Sequence, residues 1–155
     1  MSALDAVAAV YGLLRTAPGL GPHVYDQIRY TNDDAAFKST FVDSETDPAH
    51  PIVHTWMVTR ESSQAKDPTM QATSRTHNVV MVGYRSFQDG ITEPLWQAEI
   101  ESIVALFAPL ASRRFNDQFD FSGPPSVEAV KPVFFGNYLC HMARIVHPVQ
   151  EFPIP

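Results

Sequence analysis

The chain has 155 residues, of which 45% are apolar, including ten Phe, five Tyr and two Trp. That is enough for one domain with a core that needs no staples, and too apolar for a disordered chain. The formal net charge of −6 comes from 17 acidic and 11 basic side chains, with only Arg113 and Arg114 adjacent, so no basic stripe exists to neutralise a run of phosphates.

A lone cysteine, Cys140, forms no intramolecular disulfide, which fits a reducing compartment. Residues 1–16 have no basic region ahead of an apolar run, and no stretch approaches the roughly 20 apolar residues that span a bilayer. Neither secretion nor a membrane location is expected.

In chain order, Ser2 is placed to cap a first helix whose Leu4, Val7, Val10, Tyr11 and Leu14 recur on one face. Pro18, Gly19, Gly21 and Pro22 end it. Val24 to Tyr30 alternates as a short strand, and residues 31–50 read as a polar loop with room for one weak strand near Phe41 and Val42. Ile52 to Arg60 and Arg75 to Phe87 are rich in β-branched and aromatic residues and are expected to pair antiparallel. The polar connection Glu61–Thr73 between them reads as a projecting arm.

Thr92 and Glu93 open a second helix, with Pro94 in its first turn and Trp96, Ile100, Ile103, Val104 and Phe107 as its core stripe. Ser122-Gly123-Pro124-Pro125 forms a turn, and strands Ser126–Phe134 and Tyr138 to about Val149 flank a turn at Gly136-Asn137. The last residues, about 150–155, are too proline-rich for regular structure. The expected fold is a single α+β domain over 1–155, a mostly antiparallel sheet with two main helices packed on one face.

Six histidines raise the question of a metal. His54, His77 and His141 sit in different expected strands and would have to meet to form an open zinc site, without an HExxH or Cys-His spacing to specify it. His141 and His147 share a face but lie about 20 Å apart along one strand. Cys140 and His141 are adjacent on a strand, point to opposite faces and form no nucleophile–base pair. Asp33-Asp34 and the pair Glu99 and Glu101 are assigned to solvated surface. No catalytic residue, cofactor or metal is expected.

The run Thr55-Trp56-Met57-Val58-Thr59-Arg60, then His77 to Tyr84, the Glu93-Pro94 helix, Ser122-Gly123-Pro124-Pro125, Phe135 to His141 and Val149-Gln150-Glu151 together resemble the tail terminator (tail-completion) family of tailed phages, over residues 50 to 152. The resemblance implies a subunit of a ring, commonly a hexamer. Such a ring caps the tail tube, meets head-connector or neck proteins, assembles in the host cytoplasm and stays in the virion. It offers no catalytic residue to carry over; the charge and hydropathy pattern adds the expectation of no specific nucleic-acid binding and no membrane partner. The first 50 residues carry no match, which leaves another neck or head-completion protein open, and a small metal-binding enzyme after that. Head-to-tail rings need heterologous contacts. Glu61, Lys66 and Arg75 around the arm and Phe152 in the tail are the expected subunit-interface residues.

Overall fold

Two long strands rich in β-branched residues form the centre of the molecule because each can bury both faces between layers. The computed structural model describes residues 3–65, 75–110, 119–121 and 123–151. Their order is α1 (Ala3–Leu14), β1 (His23–Tyr25), α2 (Asp34–Phe41), β2 (Val42–Asp43), β3 (Ile52–Ala65), β4 (Arg75–Ser86), α3 (Thr92–Phe107), a 3-10 turn (Ala108–Leu110), β5 (Phe119–Phe121), β6 (Ser126–Phe135) and β7 (Tyr138–Glu151).

The strands make one seven-stranded sheet in the order β1-β3-β4-β7-β5, with β2 also on β3 and β6 also on β7. Every pairing is antiparallel except β1 with β3, which is parallel. The fold is α+β with a mixed sheet. Strands β3 and β4 pair as expected, and β6 and β7 close a hairpin around Gly136-Asn137. Gly136 has φ of 60°, and a Cβ there would stand 2.9 Å from the Phe37 ring, so both its backbone and its surroundings call for glycine.

Alternation divides the core in two. Trp56 and Val58 on β3, Val79 and Met81 on β4, and Ala143, Ile145 and Val149 on β7 face α1 and α3. Trp56 stacks on Trp96 of α3 with centroids 5.3 Å apart. A Cβ on Gly83, the cross-strand partner of Trp56, would lie 2.5 Å from that indole. The glycine therefore makes the space that the larger ring fills. Burying each such aromatic contributes about 2–3 kcal/mol.

The opposite face packs Val53, Met57 and Cys140 under Phe37 and Phe41 of α2. Helices thus cover both faces, two on one and a short third on the other.

Several expectations need correction. Residues 34–41 are a helix, where a polar loop was expected: the Asp33 carboxylate accepts from Ala36 N at 2.8 Å, and Phe37, Thr40 and Phe41 are buried. Asp33-Asp34 is accordingly a cap plus an ion pair from Asp34 to Lys38 at 3.0 Å. The strand expected over Val24–Tyr30 is only His23–Tyr25, because it meets β3 over just Thr55–Met57.

The arm is shorter than Glu61–Thr73, since β3 continues to Ala65 against Arg75; residues 66–74 lie outside the described residues. Gln150 and Glu151, expected in an irregular tail, are ladder partners of Thr76 and Arg75. Thr92 does not cap α3: its hydroxyl bonds Gln88 N at 2.8 Å and His141 Nε2 at 2.7 Å, and Ile91 is the cap residue.

Gly83→Ala is expected to lower stability by about 1–3 kcal/mol, because Trp56 and Trp96 hold each other in place and cannot yield to the methyl. Gly12→Ala, in open space on α1, is expected to add about 0.5–1 kcal/mol. Urea midpoints at unchanged m-value measure both.

Candidate functional site

Cross-strand partners lie side by side on one face, so the register defines rows across the sheet. One row runs from His54 on β3 through Arg85 on β4 and His141 on β7 to Pro132 on β6. Above it, α3 lowers Glu99 into the layer at 8% exposure. His54 Nε2–H donates to Glu99 Oε1 and Oε2 at 2.8 and 2.9 Å, Trp56 Nε1–H to Oε2 at 2.8 Å, and Arg85 Nη1 to Oε1 at 3.1 Å.

Glu99 was expected on the surface. It falls three residues after Trp96 and four before Ile103, inside the core stripe, and that spacing was the signal for its burial. Three donors from two strands offset its loss of water.

His54 and His141 share this row but are separated by Arg85, while His77 lies at the far end of β4 and bonds Glu151 Oε2 at 2.6 Å. Among the described residues, no group of three or more His, Cys, Asp or Glu side chains is placed to hold a metal ion. Burial is the main influence lowering the His141 pKa, aided by Arg85 and opposed by Glu93. Cys140 is fully buried on the α2 face, and burial pushes its thiol up to about 12, so it carries no thiolate beside His141.

A cleft of about 380 Å³ opens beside the row and is lined by Asp43, His54, Arg85, Thr92 and Leu95 among others. Burial acts to raise the Asp43 pKa, but hydrogen bonds from the Thr46 hydroxyl and the Thr46 and Glu45 amides, with the His54 charge, leave it lowered. These polar groups are largely engaged with one another.

The opposite end of the same face holds His147, fully buried between Phe107 and Phe121 at 4.9 and 4.7 Å, with neither ring nitrogen bonded among the described residues. Burial pulls its pKa down to about 4.

The expected interface residues are dispersed. Glu61 is exposed on β3 and forms an ion pair with Arg144 of β7, which also donates from Nε to Glu128 Oε2 at 2.9 Å. Arg75 begins β4, between Ala65 and Glu151. Lys66 and Phe152 lie outside the described residues.

Sequence reasoning placed β6 as a hairpin strand but did not single out its exposed apolar side chains. Along this outer strand Phe134 is 77% exposed and Val127 and Val130 about 40%, with Leu139 across from Phe134 at 41%. Phe135 of β6 packs against Phe37 and Phe41 of α2 at 5.1 and 4.8 Å, whereas the side chains of Val127, Val130 and Phe134 on the other face stay exposed. Among the described residues no helix is long and apolar enough to cross a membrane.

No protein-family model matches the sequence, and no curated protein matches it. Among solved structures, a chain in the virion of a native gene transfer agent particle is similar, with 14% identity, a TM-score of 0.50, and coverage of 99% of this chain and 100% of that one. At this identity the likeness is one of fold, and it extends from end to end.

Glu99→Ala would leave two buried donors and the half-buried Arg85 without their acceptor, and a loss of about 3–5 kcal/mol is expected by urea unfolding, with a smaller loss for Glu99→Gln. His147 has a folded pKa of about 4 against an ordinary 6.5, so the unfolded chain binds the extra proton as pH falls through this window. Stability is expected to drop by up to about 3 kcal/mol between those values and then level off. Subtracting the pH profile of His147→Leu from that of the wild type isolates this slope.

Proposed function

We propose that this chain is a structural protein of a phage-like virion, and within it a tail terminator whose ring caps the tail tube and meets the head connector. The carrying observation is the end-to-end fold correspondence, 99% of this chain with 100% of a chain in a gene transfer agent virion. The resemblance of residues 50 to 152 to tail terminators narrows the reading to the end of the tube. The net charge of −6 accords with it, because an acidic wall repels passing DNA and keeps a channel from retaining it. In this reading the engaged polar groups around Glu99 hold the sheet rigid, and function resides in contacts between subunits and with the tube.

Incubating the purified chain with tube protein of the same particle and imaging by electron microscopy tests this reading. Added rings at one tube end, with elongation halted, are the expected outcome. Bare ends and unchanged growth would overturn the terminator assignment, and binding to the portal-side connector alone would reassign the chain to the neck.

A further inference from the structure

The free edges of the sheet are unlike each other. On one side β1 and β2 cover only Ile52–Val53 and Thr55–Met57 of β3, so among the described residues the outer edge of β3 from Val58 to Ala65 has no partner. On the other side β6 pairs, among the described residues, only with β7, and its outer edge has no partner among them. A pair of open edges on one molecule is a template for joining copies.

Strand polarity decides how they join. Strands β3, β4, β7 and β6 are successive antiparallel neighbours, so β3 and β6 run in opposite directions. When one copy places β6 beside β3 of the next with the same face up, the new junction is antiparallel, and the arrangement repeats without turning a subunit over. A two-fold pairing of β6 with β6 would bury that edge and leave the β3 edge open on both copies.

Side chains support the same junction. By register, Val127, Val130 and Phe134 lie on the face that carries α1 and α3, opposite Ile145, Ala143 and Leu139, yet they remain exposed. Helix α1 packs against β3, so in the next copy α1 would arrive over these bare side chains and continue the helical layer.

On the α2 face, Glu61 and Glu128 share the single guanidinium of Arg144, leaving a negative charge in excess, while exposed Lys131 has no ion pair among the described residues. Setting Val58–Ala65 of one copy against Val127–Phe134 of another brings Glu61 opposite Lys131, both on the α2 face. Lys131, Pro132 and the bulge between Val127 and Ala129 blunt β6 towards arbitrary strands, so the match rests on side chains as well as ladder bonds.

We infer that copies of this chain associate head to tail, β6 of one against the Val58–Ala65 edge of β3 of the next, with Phe134 under the neighbour's α1 and Lys131 beside its Glu61. This deepens the ring reading of the proposed function and rests on it for the closure of the chain of contacts.

Engineered cysteines test the junction. Within one copy, three strand spacings, about 14 Å, separate β3 from β6, so positions 61 and 131 cannot be bridged internally. The native Cys140 is buried and does not compete. Glu61→Cys and Lys131→Cys variants, mixed and mildly oxidised, are expected to give a covalent dimer that neither gives alone, and the double variant a ladder of covalent oligomers. Phe134→Ser is expected to shift sedimentation of the otherwise unmodified chain towards monomer.

No cross-link in the mixture, or equal cross-linking by Lys131→Cys alone, would overturn the inference. If wild-type rings still cap tubes in that case, the proposed function stands with a different junction. If the junction forms and tubes stay uncapped, the terminator reading is the one that fails.

Discussion

A carboxylate taken out of water must find donors, and in this fold Glu99 finds them on two neighbouring strands. His54 and Trp56 approach from β3 and Arg85 from β4, all within 3.1 Å. The bonds fix where α3 sits along the sheet and how it is rotated, because moving the helix by one residue would withdraw the carboxylate from all three donors. The same helix brings Trp96 onto Trp56, over the space left by Gly83. Polar anchor and aromatic stack therefore depend on each other: the stack excludes water from the carboxylate, and the carboxylate keeps the indole of Trp56 in register.

The two ends of this face differ in kind. Around Glu99 both carboxylate oxygens are hydrogen-bonded, although Arg85 Nε and Trp96 Nε1 find no partner among the described residues, whereas His147 sits among Phe rings with both ring nitrogens unbonded among the described residues. The first arrangement confers specificity of packing at little net gain; the second carries a protonation penalty that grows as the medium turns acid. A filled layer under α1 and α3 and exposed apolar side chains along the outer strand describe a molecule whose interior is packed while part of one sheet face is not covered. Layered domains close their apolar faces within one chain where they can, and here β6 is the strand that the two-helix layer leaves bare.

Much of the fold was readable from residue type and period. The bounds of α3, the antiparallel pairing of β3 with β4, and the β6–β7 hairpin follow from local signals that tertiary packing reinforces. Helix α2 was not readable as such. Its eight residues hold two Phe among polar neighbours, and its helicity depends on the Asp33 cap and on the surface formed by Met57, Cys140 and Phe135, which lie far away in sequence. The extension of β3 past Arg60 was hidden for a related reason: polar residues read as loop unless a partner strand is known to lie beside them.

By itself the sequence determined the two long strands, the stripe of α3 and the opposite-facing Cys140 and His141, because these depend on backbone period and side-chain polarity alone. Tertiary structure decided which face of the sheet each helix covers, that Glu99 and Asp43 go inside, that His54 and His141 share a row without His77, and which edges lack a partner among the described residues. Those outcomes depend on register between segments distant along the chain, and register is a property of pairs of strands that no single segment encodes.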